Sequence, residues 1–585
     1  MKIFSGNRQR TLLSKKYYSM LLGGSLTMML VSVLLMADTV VAGTFVGADA
    51  VAGITLVTPL YSVAAFFGSV FSLGVPIVYS TEMGKFNKEG ADKAFGLGLL
   101  MCVSTGLILF LGATFWGDVY LRSSTPLEPV LSAARDYLYW LRFSMLLLPV
   151  GMLLVEMVYS DGDETLSTAS NVIQGGGNLI ASIFLSRIMG VRGIGLSSFL
   201  FNLVSVLILL VHFLKKSNTL RPNLFFSPKM LLQVARYSMV DACSYLFLAV
   251  LTIVLNTFVS SRFGAEYLII VSVIALVREL QIVFDGIGES ITPLISVYIG
   301  EECYSGVQAV YYMAEKTAIV EGLLVTALMS IFAPFIPAIL DVSDPGMVAV
   351  ASTGIRIMVL GSTFTSLLYL LTSYYLLIDK IPLGLLISAL RDVMVSAPLT
   401  VLLGSIFGLN GIFAGMAAAP LLAYLFNLIY TAKRYGKDNS PSLLKLIAGG
   451  TSSAVFELVA EPEQIMEVQG RVSDLLKENG IDKKTVHKAE LIIEEIFMLI
   501  REKNNGKKVL GECAVLLRPE GVQLIIRDDG EHFDISDENA AVTSLGAFVV
   551  ACYMEKLAEE KHHLKTLSFN RTSFMLKINN GRDMI

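Results

Sequence analysis

The chain has 585 residues, 54% of them hydrophobic and only 16% charged, with a formal net charge of −4. A soluble domain ordinarily carries about 25% charged residues, so a wholly soluble globule is excluded, and the small net charge gives no sign of a nucleic-acid partner. The shortage of charge is uneven: residues 17–432 run through successive apolar segments, whereas the chain beyond them is dense in Lys, Glu and Asp. This implies one polytopic membrane domain followed by one soluble domain.

The opening "MKIFSGNRQRTLLSKK" (1–16) is basic, and the apolar stretch behind it is too long for a signal-peptide core, so it reads as a retained first span. Twelve spans follow, at 17–42, 50–75, 95–116, 134–158, 166–188, 193–213, 237–259, 267–287, 315–340, 351–377, 382–406 and 411–432. Each is long enough to cross a hydrocarbon core of about 30 Å. The expected layout is an N-lobe of six helices (17–213), a linker (214–236) and a C-lobe of six helices (237–436). Lys85, Lys88 and Lys93, then Lys215, Lys216 and Arg221, then Lys433, Arg434 and Lys437 fall in alternate loops. That bias predicts cytoplasmic N- and C-termini on a multi-pass protein of the cytoplasmic membrane.

The halves repeat. "RIMGVRGIGLSSFLFNL" (187–203) is similar to "SIFGLNGIFAGMAAAPL" (405–421), with Gly190 and Gly193 matching Gly408 and Gly411. "VPIVYSTEMG" (75–84) matches "TPLISVYIG" (292–300) more loosely. Paired halves of this kind are a common build for secondary transporters, with the binding site between the repeats.

The first span contains one carboxylate, Asp38, in "SVLLMADTVVAGTFVG" (32–47). A charge in hydrocarbon is costly, so it marks a function or faces a watery cavity. Asp38 could exchange a proton or act as a hard oxygen ligand for Na⁺, coupling an ion gradient to helix movement. Glu156 and Arg391, near span ends, are expected at headgroup level. Asp241, Arg278 and Glu279 are candidates for lining a cavity in the second half, where acids would suit a cationic substrate. Cys102, Cys243, Cys303, Cys513 and Cys552 have no metal-ligand spacing and read as reduced and structural.

"MADTVVAGTFVGADAVAGITLVTPL" and "LRDVMVSAPLTVLLGSIFGLNGIFAGMAAAP" (390–420) together resemble the multidrug and toxic-compound extrusion (MATE) transporters. In that family an Asp precedes a small-residue stretch in the first helix, and an Arg, a Pro and an FG-x-x-G turn mark the eleventh-to-twelfth helix region. The resemblance implies a cation site around Asp38 with Asn178, Ser182 and Ser198. The family often has an Asp at the position of Ser182, so its absence here favours a proton over Na⁺.

After a linker, "KDNSPSLLKLIAGGTSSA" (437–454), the pattern becomes soluble α/β over 455–585. A strand is predicted at "VFELVA", then helices at "PEQIMEVQGRVSDLLKENG" and "DKKTVHKAELIIEEIFMLIREKN". "ECAVLLRPEGVQLIIRDDG" reads as two strands, "LGAFVVACYMEKLAEEK" as a helix, and "LKTLSFN" with "TSFMLKI" as a last strand pair. His562 and His563 read as surface residues. This tail resembles the anti-sigma-factor type of histidine-kinase-like ATPase, of Bergerat fold. The resemblance makes Asp528 and Gly530 of "IRDDGEHFD" the adenine-binding pair and Glu495 the general base. The Mg²⁺-holding Asn of the family is Leu499 here, and of its Gly-x-Gly only Gly546 remains, with Ser544 for the first Gly. The domain is thus expected to be degenerate, binding ATP weakly or a protein partner, without kinase activity.

The sequence therefore points to an all-α membrane domain plus an α/β sandwich. The expected function is a non-enzymatic antiporter driven by H⁺ or Na⁺ that exports organic, drug-like substrates, with a regulatory tail and no metal site. The alternatives are a lipid-linked precursor flippase of the same superfamily and a membrane-anchored anti-sigma-type kinase.

Overall fold

The computed structural model describes residues 12–124, 128–264, 267–339, 344–448, 452–531 and 560–577. The first half is built from α1 (Leu12–Phe45), α2 (Ala48–Gly84), α3 (Lys88–Phe115), α4 (Glu128–Ser160), α5 (Glu164–Met189) and α6 (Val191–Leu210). The second comprises α7 (Pro228–Arg262), α8 (Leu268–Leu280), α9 (Asp285–Gly300), α10 (Tyr304–Phe332), α11 (Pro345–Met358), α12 (Ser362–Leu377), α13 (Ile381–Ala389) and α14 (Ser396–Tyr435). The helices lie over the apolar runs, and seven helical stretches among the described residues are long and apolar enough to cross a membrane. Polar caps set several starts. Asn87 accepts from the Gly90 N–H, and Asp344 accepts from the Met347 N–H ahead of Pro345.

The repeat seen in the sequence is a repeat of backbone geometry. Gly190 and Gly408 both take positive φ, at 60° and 69°, and turn the chain between consecutive helical segments. Gly193 and Gly411 both press against the carbonyl of a leucine in the preceding helical segment, Leu185 and Leu403. Phe86 and Glu302 share φ values of 59° and 62°, and Gly162 and Asp379 also pair with φ of 95° and 57°. The halves meet through α1, α2 and α9. Gly24 packs on Gly286, and a Cβ built on Gly84 would lie 2.8 Å from the Gly300 Cα. The ends of α2 and α9 are therefore in backbone contact.

The tail begins in strand at Ser452, three residues before the predicted start. Its antiparallel sheet runs in the order β1-β2-β3-β5-β4, with β1 at Ser452–Val459, β2 at Leu510–Arg518, β3 at Gly521–Asp528, β4 at Glu560–His563 and β5 at Asn570–Lys577. Helices α15 (Pro462–Glu478) and α16 (Lys483–Lys503) cover one face through Cys513, Val515, Leu524, Ile526 and Phe574. Ala514, Leu516 and Ile525 alternate onto the other face and join a cluster with Leu12, Leu13, Leu294 and Tyr298 of the membrane helices. The second face of the sheet is thus covered by the helix bundle. The predicted strand "LKTLSFN" instead forms a turn, with β4 just ahead of it and a Thr566–Phe569 bridge at its tip. The reason is docking: Ser568 Oγ donates to the Gly162 carbonyl at 2.8 Å, and Leu567 and Ser568 adopt positive φ there. His562 is exposed and His563 half-buried. The helix predicted from "LGAFVVACYMEKLAEEK", and Cys552 within it, lie outside the described residues.

A side chain at Gly84 cannot fit without parting α2 from α9. Gly84→Val is expected to cost about 1–3 kcal/mol through overpacking, seen as a lower thermal-unfolding midpoint in detergent, whereas Lys85→Ala at the exposed neighbour should leave the midpoint unchanged.

Candidate functional site

Asp38, half-buried in α1, accepts three hydrogen bonds from three other helices. Tyr137 Oη of α4 donates to Oδ2 at 2.8 Å, and Ser198 Oγ of α6 donates to the same oxygen at 3.0 Å. Asn178 Nδ2 of α5 donates to Oδ1 at 3.4 Å. The Asn178 amide oxygen in turn accepts from Ser197 Oγ at 2.7 Å and Ser182 Oγ at 3.4 Å. Donors run from hydroxyl to amide to carboxylate, so the Asp38 carboxylate and the Asn178 amide oxygen are both satisfied. Close helix approach makes it possible, since Gly195 of α6 sits against the Tyr137 carbonyl and brings Ser198 and Tyr137 to one oxygen. The four residues singled out from sequence, Asp38, Asn178, Ser182 and Ser198, are brought together. Tyr137 and Ser197 were not foreseen. The signal for Tyr137 was a hydroxyl-bearing ring inside the apolar "YLYWLRF", where such rings usually only pack.

The second half holds a different arrangement. Arg278 Nη2 donates to Asp392 Oδ1 at 2.9 Å, and Arg391 grips both oxygens of Asp392 at 2.9 and 2.7 Å. The Arg391 guanidinium lies 3.8 Å over the Tyr369 ring. A π-helical turn at Leu390–Met394 turns these side chains inward. Arg278, Arg391 and Asp392 line a cavity with Gln281, Thr365 and Tyr369. Arg391 is thus buried inside the bundle, with Asp392 as the charge partner that it shares with Arg278. Glu279 lies beside Arg278, half-buried, and the Asp241 side chain lies outside the described residues. Between the halves, Glu156 faces Asp285, Glu289 approaches Gly24, and Glu321 accepts from Ser25 at 3.4 Å. Glu156 too is inside the bundle.

In the tail, Asp528 ends β3 almost fully buried and accepts from Asn570 Nδ2 and the Gly530 N–H, both at 2.9 Å. Burial pushes its carboxyl up to about 6, against the pull of those hydrogen bonds. Gly530 has a packing reason of its own, since a Cβ there would lie 2.5 Å from Asn504 Nδ2. Leu499 is buried between α16 and the sheet, and Glu495, one turn earlier, is half-buried. Ser544 and Gly546 lie outside the described residues. Among the described residues, no group of three or more His, Cys, Asp or Glu could hold a metal ion.

Residues 25–184 match the MatE family model. The chain is similar to a solved outward-facing multidrug resistance MATE transporter of the MOP superfamily, at 18% identity over 74% of this chain and 96% of that one, with a TM-score of 0.66. A MATE solved in complex with MaD5 is 16% identical over 75% of this chain and 98% of that one, with a TM-score of 0.67. A MOP superfamily transporter from Pyrococcus furiosus, described by a binding pocket of reverse polarity and a different suggested function, is 17% identical over 72% and 95%, with a TM-score of 0.62. No curated protein sequence matches. The fold is that of MATE-type multidrug transporters, and the chain is a multi-pass membrane protein.

A carboxyl raised by folding favours the folded state most at low pH, and that favour is lost as pH rises toward the folded value of about 6. Asp528→Asn keeps an acceptor for Asn570 and Gly530 but carries no charge. It is expected to stabilise the tail by about 2 kcal/mol near pH 7 and by nothing near pH 4, measured by hydrogen exchange of the β2 and β3 amides in the full chain. Leu499→Asn should weaken the same amides by about 2–4 kcal/mol, from lost packing and a buried amide.

Proposed function

We propose that this chain is a cation-coupled antiporter that exports small organic cations across the cytoplasmic membrane by alternating access between two six-helix lobes. Asp38 carries this reading. Its carboxylate lies in the first half among Tyr137, Asn178 and Ser198, a shell that holds it without a partner cation. Protonation would remove the charge that these donors serve and so change how tightly α1, α4, α5 and α6 are tied. A proton suits this shell better than Na⁺. Among the described residues Asp38 is the one carboxylate of this shell, Ser182 stands where a second acid could be, and Tyr137, Asn178 and Ser198 act as donors. The acids Glu156, Asp285, Glu289 and Glu321 near α1 favour a cationic substrate over the pyrophosphate of a lipid-linked precursor, which calls for a basic cavity.

The lysine and arginine bias of the loops sets both termini, and with them the tail, on the cytoplasmic side. There the tail serves regulation. Asp528 supports a nucleotide-binding reading, because a carboxyl kept buried at an energetic cost is a common mark of a ligand site. Leu499, sealed in the core, argues against Mg²⁺ at that position and against kinase activity.

Reconstituted into vesicles, the chain is expected to expel an organic cation under an inward proton gradient and not under an Na⁺ gradient alone. Asp38→Asn should abolish gradient-driven efflux, since the intramembrane carboxylate is the coupling group, while leaving the chain folded and monodisperse. Unchanged efflux would remove Asp38 from the coupling step. Tight Mg²⁺-dependent ATP binding with phosphoryl transfer to a partner would instead favour the kinase reading of the tail.

A further inference from the structure

Strand alternation puts Glu512, Arg527 and Arg571 in one cross-strand row on the sheet face that meets the membrane helices. All three are buried, at 1%, 4% and 1% exposure. Their partner is Glu301, 2% exposed, in the turn after α9. Arg527 bonds Glu512 through one terminal nitrogen and Glu301 through the other. Arg571 Nε lies 3.4 Å from Glu301, while its Nη2 donates to the Met83 and Gly84 carbonyls at 2.6 and 3.1 Å. The same guanidinium lies 3.8 Å over the ring of Phe86. Two guanidiniums and two carboxylates thus form a neutral buried cluster, with ligands from the tail and from both halves of the bundle.

The bundle residues in this cluster are equivalent by the internal repeat. The turn around Met83–Phe86 ends α2 in the first half, and the turn around Glu301–Glu302 ends α9 in the second. These are the two helix ends in backbone contact at Gly84 and Gly300. Nearby, Arg518 bonds Glu302 at 2.5 Å, and Ser453 Oγ bonds Ser305 Oγ at 3.0 Å. Separating the two turns would pull Arg571 from one of them and leave a buried charge uncompensated, which is strongly unfavourable.

We propose that the tail is an interlobe clamp: by holding both turns through Arg527 and Arg571, it keeps the tail side of the transporter closed, and that side opens only when the clamp releases. The proposal rests on the alternating-access reading above and names how its tail regulates it. Opening is measured on the full chain in nanodiscs, as the distance between spin labels at Lys85 and Gln308, both exposed beyond the two turns. The wild-type chain should give one short distance. Glu301→Arg places a third guanidinium in the cluster and is expected to raise the long-distance population about tenfold, an ordinary size for coupling between sites. Removal of residues 437–585 should do the same, and the double variant Glu301→Arg with Arg527→Glu should restore the short distance. An unchanged distance after removal of the tail, or no recovery in a double variant that stays monodisperse, would overturn the clamp. The distances need neither substrate nor ion gradient. Loss of transport coupling with an intact distance response would thus count against the antiport reading alone.

Discussion

A five-stranded sheet with helices on one side has a second face to account for. Antiparallel sheets often turn that face to water, but β2 and β3 put Ala514, Leu516 and Ile525 there, and water would expose them. The cover comes from the start of α1 and the end of α9, through Leu12, Leu13, Leu294 and Tyr298. Much else follows from this docking. Charges caught in such an interface must be paired or removed, and the one positive charge left over among Glu512, Arg527 and Arg571 is balanced by Glu301 of the bundle. The turn at Thr566–Phe569 is shaped by the same surface. So is the N-terminal end of α1, where Lys15 pairs with Asp529 and Lys16 with Glu164, at 2.9 and 2.5 Å.

The same economy of polar groups governs the membrane domain. In hydrocarbon there is no water to satisfy an idle donor or acceptor, and two carboxylates of the bundle are held by several protein donors each. Asp392 holds two arginines, and Asp38 holds three neutral donors. The two differ in kind. A carboxylate between guanidiniums is fixed as an anion, whereas one served by hydroxyls and an amide can take a proton without leaving an uncompensated cation. The sheet shows a related contrast on successive rungs. Arg527 and Arg571 face the bundle, while Asp528 and Asn570, the next residue on each strand, pair on the opposite side.

The features legible in the sequence were those that local pattern dictates. Apolar runs located the helices, matched glycines disclosed the repeat, alternation located β1, and two apolar runs around a Pro-Glu-Gly turn located β2 and β3. Asn178 and Ser198 could be placed beside Asp38 only through family resemblance, because nothing in their spacing brings three helices to one carboxylate. Tyr137 escaped because a tyrosine in an apolar span carries no mark of which way its hydroxyl points. Arg391 stands near a span end in the sequence, and its burial beside Asp392 and Arg278 depends on a contact between distant segments that no local pattern carries. The charge cluster was hidden most completely. Glu301, Glu512, Arg527 and Arg571 belong to four separate segments, and in each the charge reads as an ordinary solvated residue.

Helix α1 has one more property that matters. It runs unbroken for 34 residues, with Lys15 and Lys16 under the tail and Asp38 near its far end. At 1.5 Å per residue those points stand about 35 Å apart on one rod. It contains no proline, and its paired Gly23 and Gly24 lie where it crosses α5 and α9, against Thr168 and Gly286. The carboxylate and the docking surface therefore share a mechanical axis: a turn or slide of the rod at one end is delivered to the other, and the glycine pair is the place where such a lever would have its pivot.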